Sequence, residues 1–245
     1  MSVGDRIATP DGKRRYVRDL FATIADRYDL ITVVLSYGQD RRWKRRLVGL
    51  AELTPGARVL DLASGTGDIA FACAARGAAV TGLDVTQRMV QIASGKAALP
   101  IPGVSGVAAA PRFVVGDMMA LPFASGRFDV VTTGYGLRNV PDLPTAIDEI
   151  RRVLKPGGRF LSLDFNRPTN ASVRSLYLSY LEVVGGMLGW LLHRDPDTYR
   201  YIPASIRRYP GAAGVVRALQ AQGFSQASCY PVLGGLLAIH DGIRD

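Results

Sequence analysis

A short glycine-rich turn, Gly65-x-Gly67, is the part of the sequence whose residue types most clearly suggest chemistry. It follows an apolar run from Val59 to Ala63 and leads at once into a helical pattern, Ile69 to Ala75. Glycines let the backbone approach a ligand closely, and the first N–H groups of a helix are free to bind it. This order of elements predicts a cradle for a nucleotide-like cofactor at the carboxyl end of a first parallel strand.

The turn alone does not distinguish between cofactors, because Gly65-x-Gly67-x-x-Ala70 also fits a dinucleotide fingerprint. Asp61 lies in the strand ahead of the turn. A carboxylate there would repel a pyrophosphate, but it can help hold an ammonium group, directly or through water. Asp61 therefore favours a cationic, amino-acid-bearing nucleoside.

Two later positions support the same cofactor. Asp84 ends the second predicted strand, where it can accept hydrogen bonds from two ribose hydroxyls. Asp117 follows the third strand and can accept a hydrogen bond from an adenine amino group, with Met118 packing on the ring. Together with Asp61, they predict S-adenosylmethionine rather than a nicotinamide dinucleotide. A purely structural role, such as helix capping, is the alternative for Asp61 and Asp84.

The elements that must position these residues alternate between strand and helix. This alternation predicts an α/β fold with a doubly wound, mostly parallel sheet. The predicted strands are Arg58–Ala63, Ala79–Asp84, Arg112–Val115, Phe128–Thr133, Arg159–Phe165, Ser225–Tyr230 and Leu236–His240, and the predicted helices are Thr66–Arg76, Thr86–Ala98, Pro144–Leu154 and Ala212–Gln222. A Pro/Gly-rich loop is expected over residues 100–111.

Two segments lie outside the alternation. Residues 13–50 look helical and precede the first strand, and residues 166–208 separate the fifth strand from the last helix. We expect a single domain over residues 1–245. In it, 13–50 would form an N-terminal helical lid, 51–165 the cofactor-binding core, 166–208 a helical insert covering the substrate, and 209–245 a C-terminal helix and strands.

The net charge of +9 is concentrated in these two segments. Residues 1–50 carry +5 and residues 166–208 carry +3, whereas residues 51–165 carry +1. A solvated surface explains this, and so does an anionic partner, either a membrane surface or nucleic acid. The run 176–192 is apolar but short for a membrane span, and Glu182 near its middle would be costly there, so we expect a core or lid helix.

The cysteines and histidines of the sequence indicate no metal site. Cys73 and Cys229 match no metal or redox spacing and are expected to be core thiols in a reducing compartment. The two histidines, His193 and His240, are too few for a His-rich site, and His240 is expected to be structural rather than a base. Residues 1–12 lack the apolar core of a signal peptide.

Further motifs occur in order along the chain: Phe21-x-x-Ile24-Ala25-x-x-Tyr28-Asp29-Leu30, Leu35-Ser36-x-Gly38 with Trp43-Lys44-Arg45, Gly136-Leu137-Arg138-Asn139-Val140, Tyr199-Arg200-Tyr201-Ile202 with Ser205-Ile206, and Ala238-x-His240. From about Val17 to the C-terminus, the sequence resembles the class I methyltransferases of menaquinone and ubiquinone biosynthesis (the MenG/UbiE family). The resemblance implies a Rossmann-like class I methyltransferase fold: a mostly parallel seven-stranded sheet with helices on both faces, an N-terminal helical lid and a helical insert.

The resemblance also implies roles for individual residues. Arg138 and Asn139 would meet a quinol ring, with Arg138 activating its hydroxyl, and Tyr28 would lie in the lid over the same pocket. The residues that would contact S-adenosylmethionine, including those already derived from the residue types, are Asp61, Gly65, Thr66, Gly67, Asp84, Asp117, Met118 and Gly134.

The activity that follows is carbon methylation of a prenylated quinol, with demethylmenaquinol preferred over a benzoquinol. Because a guanidinium stays protonated, Arg138 would stabilise the phenolate rather than act as a base. Asn139 would orient the hydroxyl or a water. Structural readings remain open: Arg138 and Asn139 could bond the lid backbone, and Tyr28 could be a packed aromatic.

We expect a cytoplasmic protein in peripheral contact with the inner membrane face, no nucleic-acid partner and, as one open option, a homodimer. The alternative functions are methylation of another small aromatic natural product, a nicotinamide oxidoreductase, a non-catalytic binding protein and RNA methylation. Three positions depart from the family pattern, where Asn, Ser and Glu are frequent: Thr32, Gly134 and Asp164.

Overall fold

The computed structural model describes residues 3–36, 38–99 and 110–245. The described strands form one seven-stranded sheet in the order β3-β2-β1-β4-β5-β7-β6, in which β1 to β5 run parallel and β7 lies antiparallel between β5 and β6. This is the predicted α/β architecture. The strands are β1 Arg58–Leu62, β2 Ala79–Asp84, β3 Arg112–Val115, β4 Phe128–Gly134, β5 Leu154–Phe165, β6 Phe224–Val232 and β7 Leu237–Arg244.

Helices cover both faces of the sheet. The central strands alternate their side chains between two cores, as the two-residue period of a strand requires. On β1, Leu60 and Leu62 belong to one core and Val59 to the other. The helices are α1 Val3–Arg6, α2 Pro10–Ile24, α3 Tyr28–Leu35, α4 Asp40–Leu50, α5 Asp68–Ala74, α6 Gln87–Ala97, α7 Leu143–Val153, α8 Ala171–His193, α9 Asp197–Arg208 and α10 Ala212–Ala221.

Several element boundaries differ from the sequence-based ones. β5 begins at Leu154 instead of Arg159, because Leu154 still pairs with Phe128 before the register shifts. Gly157 adopts a left-handed φ of 73° within this irregular stretch. Most of the predicted loop 100–111 lies outside the described residues. Cys73 is a core thiol as expected, but Cys229 is exposed, because β6 is an edge strand of the sheet.

The helices before β1 pack against the pair formed by α8 and α9. Ile31 of α3 shares a buried cluster with Tyr199 of α9, and Tyr16 of α2 stacks on Tyr201 at 5.4 Å between ring centroids. The two segments that interrupt the sequence alternation are thus brought together in space, and each depends on the other for its core.

Helix α8 has one packed face and one exposed face. By length and composition alone it could cross a membrane, and 33% of its most apolar window is buried. Leu178 and Leu181 pack in a cluster with Ile206 of α9, whereas Leu176 and Met187 are exposed. The expected core or lid helix is therefore only partly covered.

Candidate active site

The glycine turn between β1 and α5 has a left-handed backbone. Gly65 and Gly67 have φ values of 53° and 98°, in the region that favours glycine. The Gly65 N–H donates to Asp84 Oδ2 at 2.8 Å, which ties the turn to the end of β2. A Cβ on Gly67 would lie 2.6 Å from Phe71 and 2.9 Å from Phe113, so no larger residue fits without displacing these rings.

Asp61 lies at a small cavity of about 20 Å³ beside the turn. Its Oδ1 accepts a 2.8 Å hydrogen bond from Thr132, and no described donor reaches its Oδ2. Burial raises the pKa of Asp61 to about 7, against the hydrogen bond from Thr132, which lowers it. A buried, half-satisfied carboxylate facing a cavity fits the ammonium group of S-adenosylmethionine.

Thr66 lines the same small cavity but is directed toward the lid. Its hydroxyl donates to Asp29 Oδ1 at 2.5 Å, and Lys96 donates to Asp29 Oδ2 at 2.6 Å. The turn is thereby connected to α3, the helix that carries Tyr28.

A second cavity of about 90 Å³ opens next to the turn, and the predicted residues Gly65, Asp84, Asp117, Met118 and Gly134 line it. Its lining combines carboxylates with apolar groups, as an adenosine requires. The structure thus brings the carboxyl ends of β1, β2 and β4 and the residues after β3 to one place, although Gly65 and Gly134 are far apart in sequence.

The two carboxylates of this cavity have further partners. Asp84 Oδ1 accepts a hydrogen bond from the Thr86 N–H at 2.8 Å, and burial raises its pKa. Asp117 accepts a hydrogen bond from the Met119 N–H and lies 3.3 Å from Arg14 of α2. Both carboxylates therefore organise their own loops as well as facing the cavity, so the structural reading holds alongside the binding one.

A third cavity, of about 270 Å³, lies between the lid and the insert and is mainly apolar and aromatic. It adjoins the 90 Å³ cavity, because Phe21, Tyr28 and Tyr135 line both. Its size and lining suit a hydrophobic aromatic molecule. Representative lining residues are Ile31, Trp43, Phe165, Tyr177, Tyr199 and Leu236.

Arg138 is in the wall of this larger cavity and is itself 4% exposed. It follows β4 in a short 3₁₀ turn, Leu137–Asn139. Its Nε lies 3.2 Å from the fully buried Asp164, and its Nη1 donates to Ser205 at 2.5 Å. The guanidinium is 5.1 Å from the centre of the Phe165 ring. Arg138 is thus fixed in place on the cavity wall with its charge balanced.

Asn139 lines the cavity of about 90 Å³ and not the cavity of about 270 Å³. Its Nδ2 donates to the Tyr135 carbonyl at 2.7 Å, and its Oδ1 accepts from Tyr201 at 2.9 Å. Asn139 therefore joins the turn after β4 to α9. The structure places Arg138 at the cavity of about 270 Å³ and Asn139 at the cavity of about 90 Å³.

Tyr28 lines all three cavities and forms part of the boundary between them. Burial raises its pKa to about 12, although nearby Lys44 lowers it. The phenol therefore stays protonated at neutral pH, which suits a boundary and positioning group rather than a base.

Comparison with known proteins identifies the family and the fold. The model of the ubiE/COQ5 methyltransferase family matches residues 9–244. The chain belongs to that family. A relative from Mycobacterium sp. (strain KMS), named demethylmenaquinone methyltransferase, is 37% identical over 97% of both chains. The Thermus thermophilus protein of the same name is 40% identical over 92% of this chain and all of its own. A relative from Azotobacter vinelandii, named ubiquinone/menaquinone biosynthesis C-methyltransferase, is 37% identical over 95% of this chain and 91% of its own.

Solved structures agree on the fold of this family member. A methyltransferase from Thermotoga maritima superposes with a TM-score of 0.65 at 16% identity, over 94% of this chain and all of its own. A putative methyltransferase from Haloferax volcanii, solved with its Trm112 activator, gives 0.64 at 19% identity, over 91% and 96%. The family assignment confirms the sequence-based predictions of a methyltransferase, of its fold class and of S-adenosylmethionine as its methyl donor.

Lys44 belongs to one of the family motifs, but the sequence did not predict the charged cluster that surrounds it. Lys44 Nζ lies 2.6 Å from Asp40 and 2.8 Å from Asp68. Asp40 also accepts a 2.8 Å hydrogen bond from Tyr135. The i, i+4 spacing of Asp40 and Lys44 on one helix was the available signal, but it is typical of many solvent-exposed pairs.

Proposed function

We propose that this protein transfers a methyl group from S-adenosylmethionine to a ring carbon of a prenylated quinol, converting a demethylmenaquinol to a menaquinol. The observation that carries the proposal is Arg138 in the wall of an apolar cavity of about 270 Å³ that adjoins the cofactor cavity. The names of the mycobacterial and Thermus relatives support this substrate class.

In this proposal the smaller cavities hold the methyl donor. Asp61 holds the ammonium group, Asp84 the ribose hydroxyls and Asp117 the adenine amino group, with Met118 against the ring. The donor supplies a methyl group already activated on a sulfonium. The glycine turn, Thr66 and Gly134 shape the cavity around it.

The acceptor side then has to activate a ring carbon. A quinol carbon becomes nucleophilic when the neighbouring hydroxyl loses its proton, and the Arg138 guanidinium lowers the pKa of that hydroxyl by stabilising the phenolate. Asn139 holds the turn that carries Arg138, and Tyr28 orients the ring against the donor. Residues 13–50 and 166–208 close over the acceptor as lid and insert.

We further propose that the protein works in the cytoplasm at the inner membrane face, where a prenylated quinol resides. The exposed side of α8 carries Leu176, Val183, Met187 and Trp190, and the surrounding insert is basic. An apolar helix face flanked by basic residues is suited to lying in an anionic interface.

The test of the activity is incubation of the purified protein with labelled S-adenosylmethionine and, separately, a reduced demethylnaphthoquinol and a reduced benzoquinol. We expect a mass gain of one methyl on the naphthoquinol ring. A tail-less hydroxylated aromatic serves as the third substrate. Methylation of that compound alone would overturn the prenylated-quinol assignment.

Arg138 is tested in the same assay. Arg138→Lys should reduce turnover by about 100-fold while calorimetry shows normal S-adenosylmethionine binding. The lysine variant is preferred to Arg138→Ala, which would leave Asp164 buried and unpaired. Asp84→Ala is the matched variant on the cofactor side, for which we expect the reverse: weaker cofactor affinity. Near-normal turnover of Arg138→Lys would refute the phenolate role.

A further inference from the structure

Asp40, the first residue of α4, lines the cavity of about 270 Å³ that is proposed to hold the acceptor (the acceptor cavity). Its backbone N–H donates to the Ser36 hydroxyl at 3.1 Å, and the residue is 2% exposed. Among the described residues that line this cavity, Asp40 carries the one carboxylate, and none is a histidine. The remaining ionisable groups there are Arg138 and tyrosines.

Asp40 is held by two donors. Tyr135 donates to its Oδ1 at 2.8 Å, and Lys44 lies 2.6 Å from its Oδ2. Tyr135 adopts a left-handed φ of 60°, which is costly for an aromatic residue, and its N–H donates to the Leu163 carbonyl. Strain of this kind, held by surrounding bonds, is typical of positions that a site requires.

The surrounding charges tolerate a proton on Asp40. Lys44 contacts Asp68 at 2.8 Å as well as Asp40, so protonation of Asp40 leaves the buried ammonium paired. The titratable groups that face Asp40 are Lys44 on its own helix, Tyr28 on α3 and Tyr135 after β4, with Asp68 of α5 behind Lys44.

Arg138 cannot accept a proton, and the phenol of Tyr28 is a poor acceptor while it stays protonated. We propose that Asp40 is the general base that removes the hydroxyl proton of the acceptor. This inference rests on the proposed quinol methylation and identifies the group that performs its first step. Asp40 and Arg138 then have separate roles, because Asp40 takes the proton and Arg138 stabilises the negative charge left on oxygen.

The step balances. The quinol O–H bond breaks and its proton moves to a carboxylate oxygen of Asp40, while the electron pair moves into the ring. The ring carbon forms a bond to the methyl carbon as the bond from that carbon to sulfur breaks. The ring carbon then loses its own hydrogen as a proton, the oxygen regains one, and aromaticity is restored. One proton is released overall, together with S-adenosylhomocysteine.

The test compares Asp40→Asn with wild type on two substrates: the demethylnaphthoquinol and a ring-fluorinated analogue whose hydroxyl is more acidic. With the ordinary quinol we expect turnover to fall by about 100-fold or more. With the acidic quinol the ratio of variant to wild type should recover at least about tenfold, because ionisation needs less help from a base. The intrinsic effect of fluorine on ring reactivity cancels in this ratio.

Asp26→Asn is the charge-matched control, since Asp26 is an exposed carboxylate paired with Arg88 and lines none of the three cavities. Its loss of turnover should be the same for both quinols. An equal loss for both quinols in Asp40→Asn would overturn the inference and assign Asp40 a structural role. If wild type methylates neither quinol, the proposed function fails instead, and the two failures are distinguishable.

Tyr135→Phe gives a second readout that keeps the carboxylate. The carboxylate stays in place without the Tyr135 donor, so turnover should fall far less than in Asp40→Asn and by the same factor for both quinols. Thermal unfolding checks folding for every variant. A loss in folded Tyr135→Phe as large as that in Asp40→Asn would assign the effect to the hydrogen bond instead of the carboxylate and would also overturn the proposal.

Discussion

At the scale of single residues, the buried carboxylates decide the chemistry. Asp61 has one satisfied and one unsatisfied oxygen, and this imbalance is what a cationic ligand would correct. The ionised Asp61 carboxylate destabilises the folded protein when no ligand is bound, because burial raises the pKa of Asp61 above its unfolded value. The contribution of Asp61 to folding stability therefore decreases as pH rises from about 4 to about 7.

The same shift predicts a pH-dependent affinity for the cofactor. The ammonium group needs ionised Asp61, so S-adenosylmethionine should bind roughly tenfold more weakly at pH 6 than at pH 8. Isothermal calorimetry in buffers of different ionisation enthalpy should show proton release on binding below pH 7. Asp61→Asn should bind weakly with a flat profile. A steep profile in that variant would place the titrating group elsewhere.

One departure from the family pattern has no packing explanation at this scale. A Cβ on Gly134 would lie 2.7 Å from Cδ1 of Ile69, the end of a flexible side chain that can move aside, so local packing does not require glycine there. Gly134 still lines the cavity beside the turn.

At the scale of elements, α2 is fastened directly to the turn that carries Arg138. Lys13 Nζ donates to the carbonyls of Arg138 at 2.9 Å and Val140 at 2.7 Å. Burial, together with the charge of Arg138, lowers the pKa of Lys13 to about 8. A lid helix and a site loop separated by about 125 residues of chain are thus coupled through one side chain.

We therefore expect Lys13→Met to loosen the lid. Losing hydrogen bonds from this charged donor should cost about 1–3 kcal/mol of stability and raise KM for the acceptor several-fold, with a smaller change in cofactor affinity. Thermal unfolding and steady-state kinetics measure both effects. Arg15→Met is the matched control, because Arg15 lies exposed on the same helix and carries the same charge. Equal effects of the two variants would indicate a general charge effect.

At the scale of the whole molecule, the exposed face of α8 is the feature that needs a partner. Its apolar residues recur at three- and four-residue spacing, and they remain exposed beside a basic surface. A patch of this kind marks an interaction site more often than bare surface. Arg194 stacks on Trp190 at 5.4 Å, which places a cation at the edge of the patch.

The two tryptophans allow a direct measurement. Trp190 is 57% exposed and Trp43 is buried, so insertion of α8 into an interface should shift the Trp190 emission to the blue. We expect this shift with anionic vesicles at low ionic strength and its decrease as salt is added. Trp190→Phe should abolish the shift, but the variant protein should still float with the anionic vesicles in a density gradient. A shift that appears without vesicles, together with a dimer in sedimentation, would assign this face to a second copy of the chain.

The cofactor side could be predicted from the sequence because its signals are local. The strand, the glycine turn and the helix are contiguous, and the other carboxylates follow parallel strands whose carboxyl ends meet at one edge of the sheet. Asp61, Asp84 and Asp117 could therefore be placed together without any knowledge of packing. The start of β5 could not be predicted from the sequence, because it depends on pairing with Phe128 across a register shift.

The acceptor side was decided by the tertiary structure. Asp40, Tyr135 and Arg138 line one cavity only because the lid packs against the insert and the loop after β4, and no local spacing encodes that arrangement. The sequence by itself determined which methyl donor this protein uses and the sheet that holds it. Only packing between distant segments decided which charged groups line the apolar cavity, because side-chain contacts across 95 residues depend on the shape of both surfaces at once.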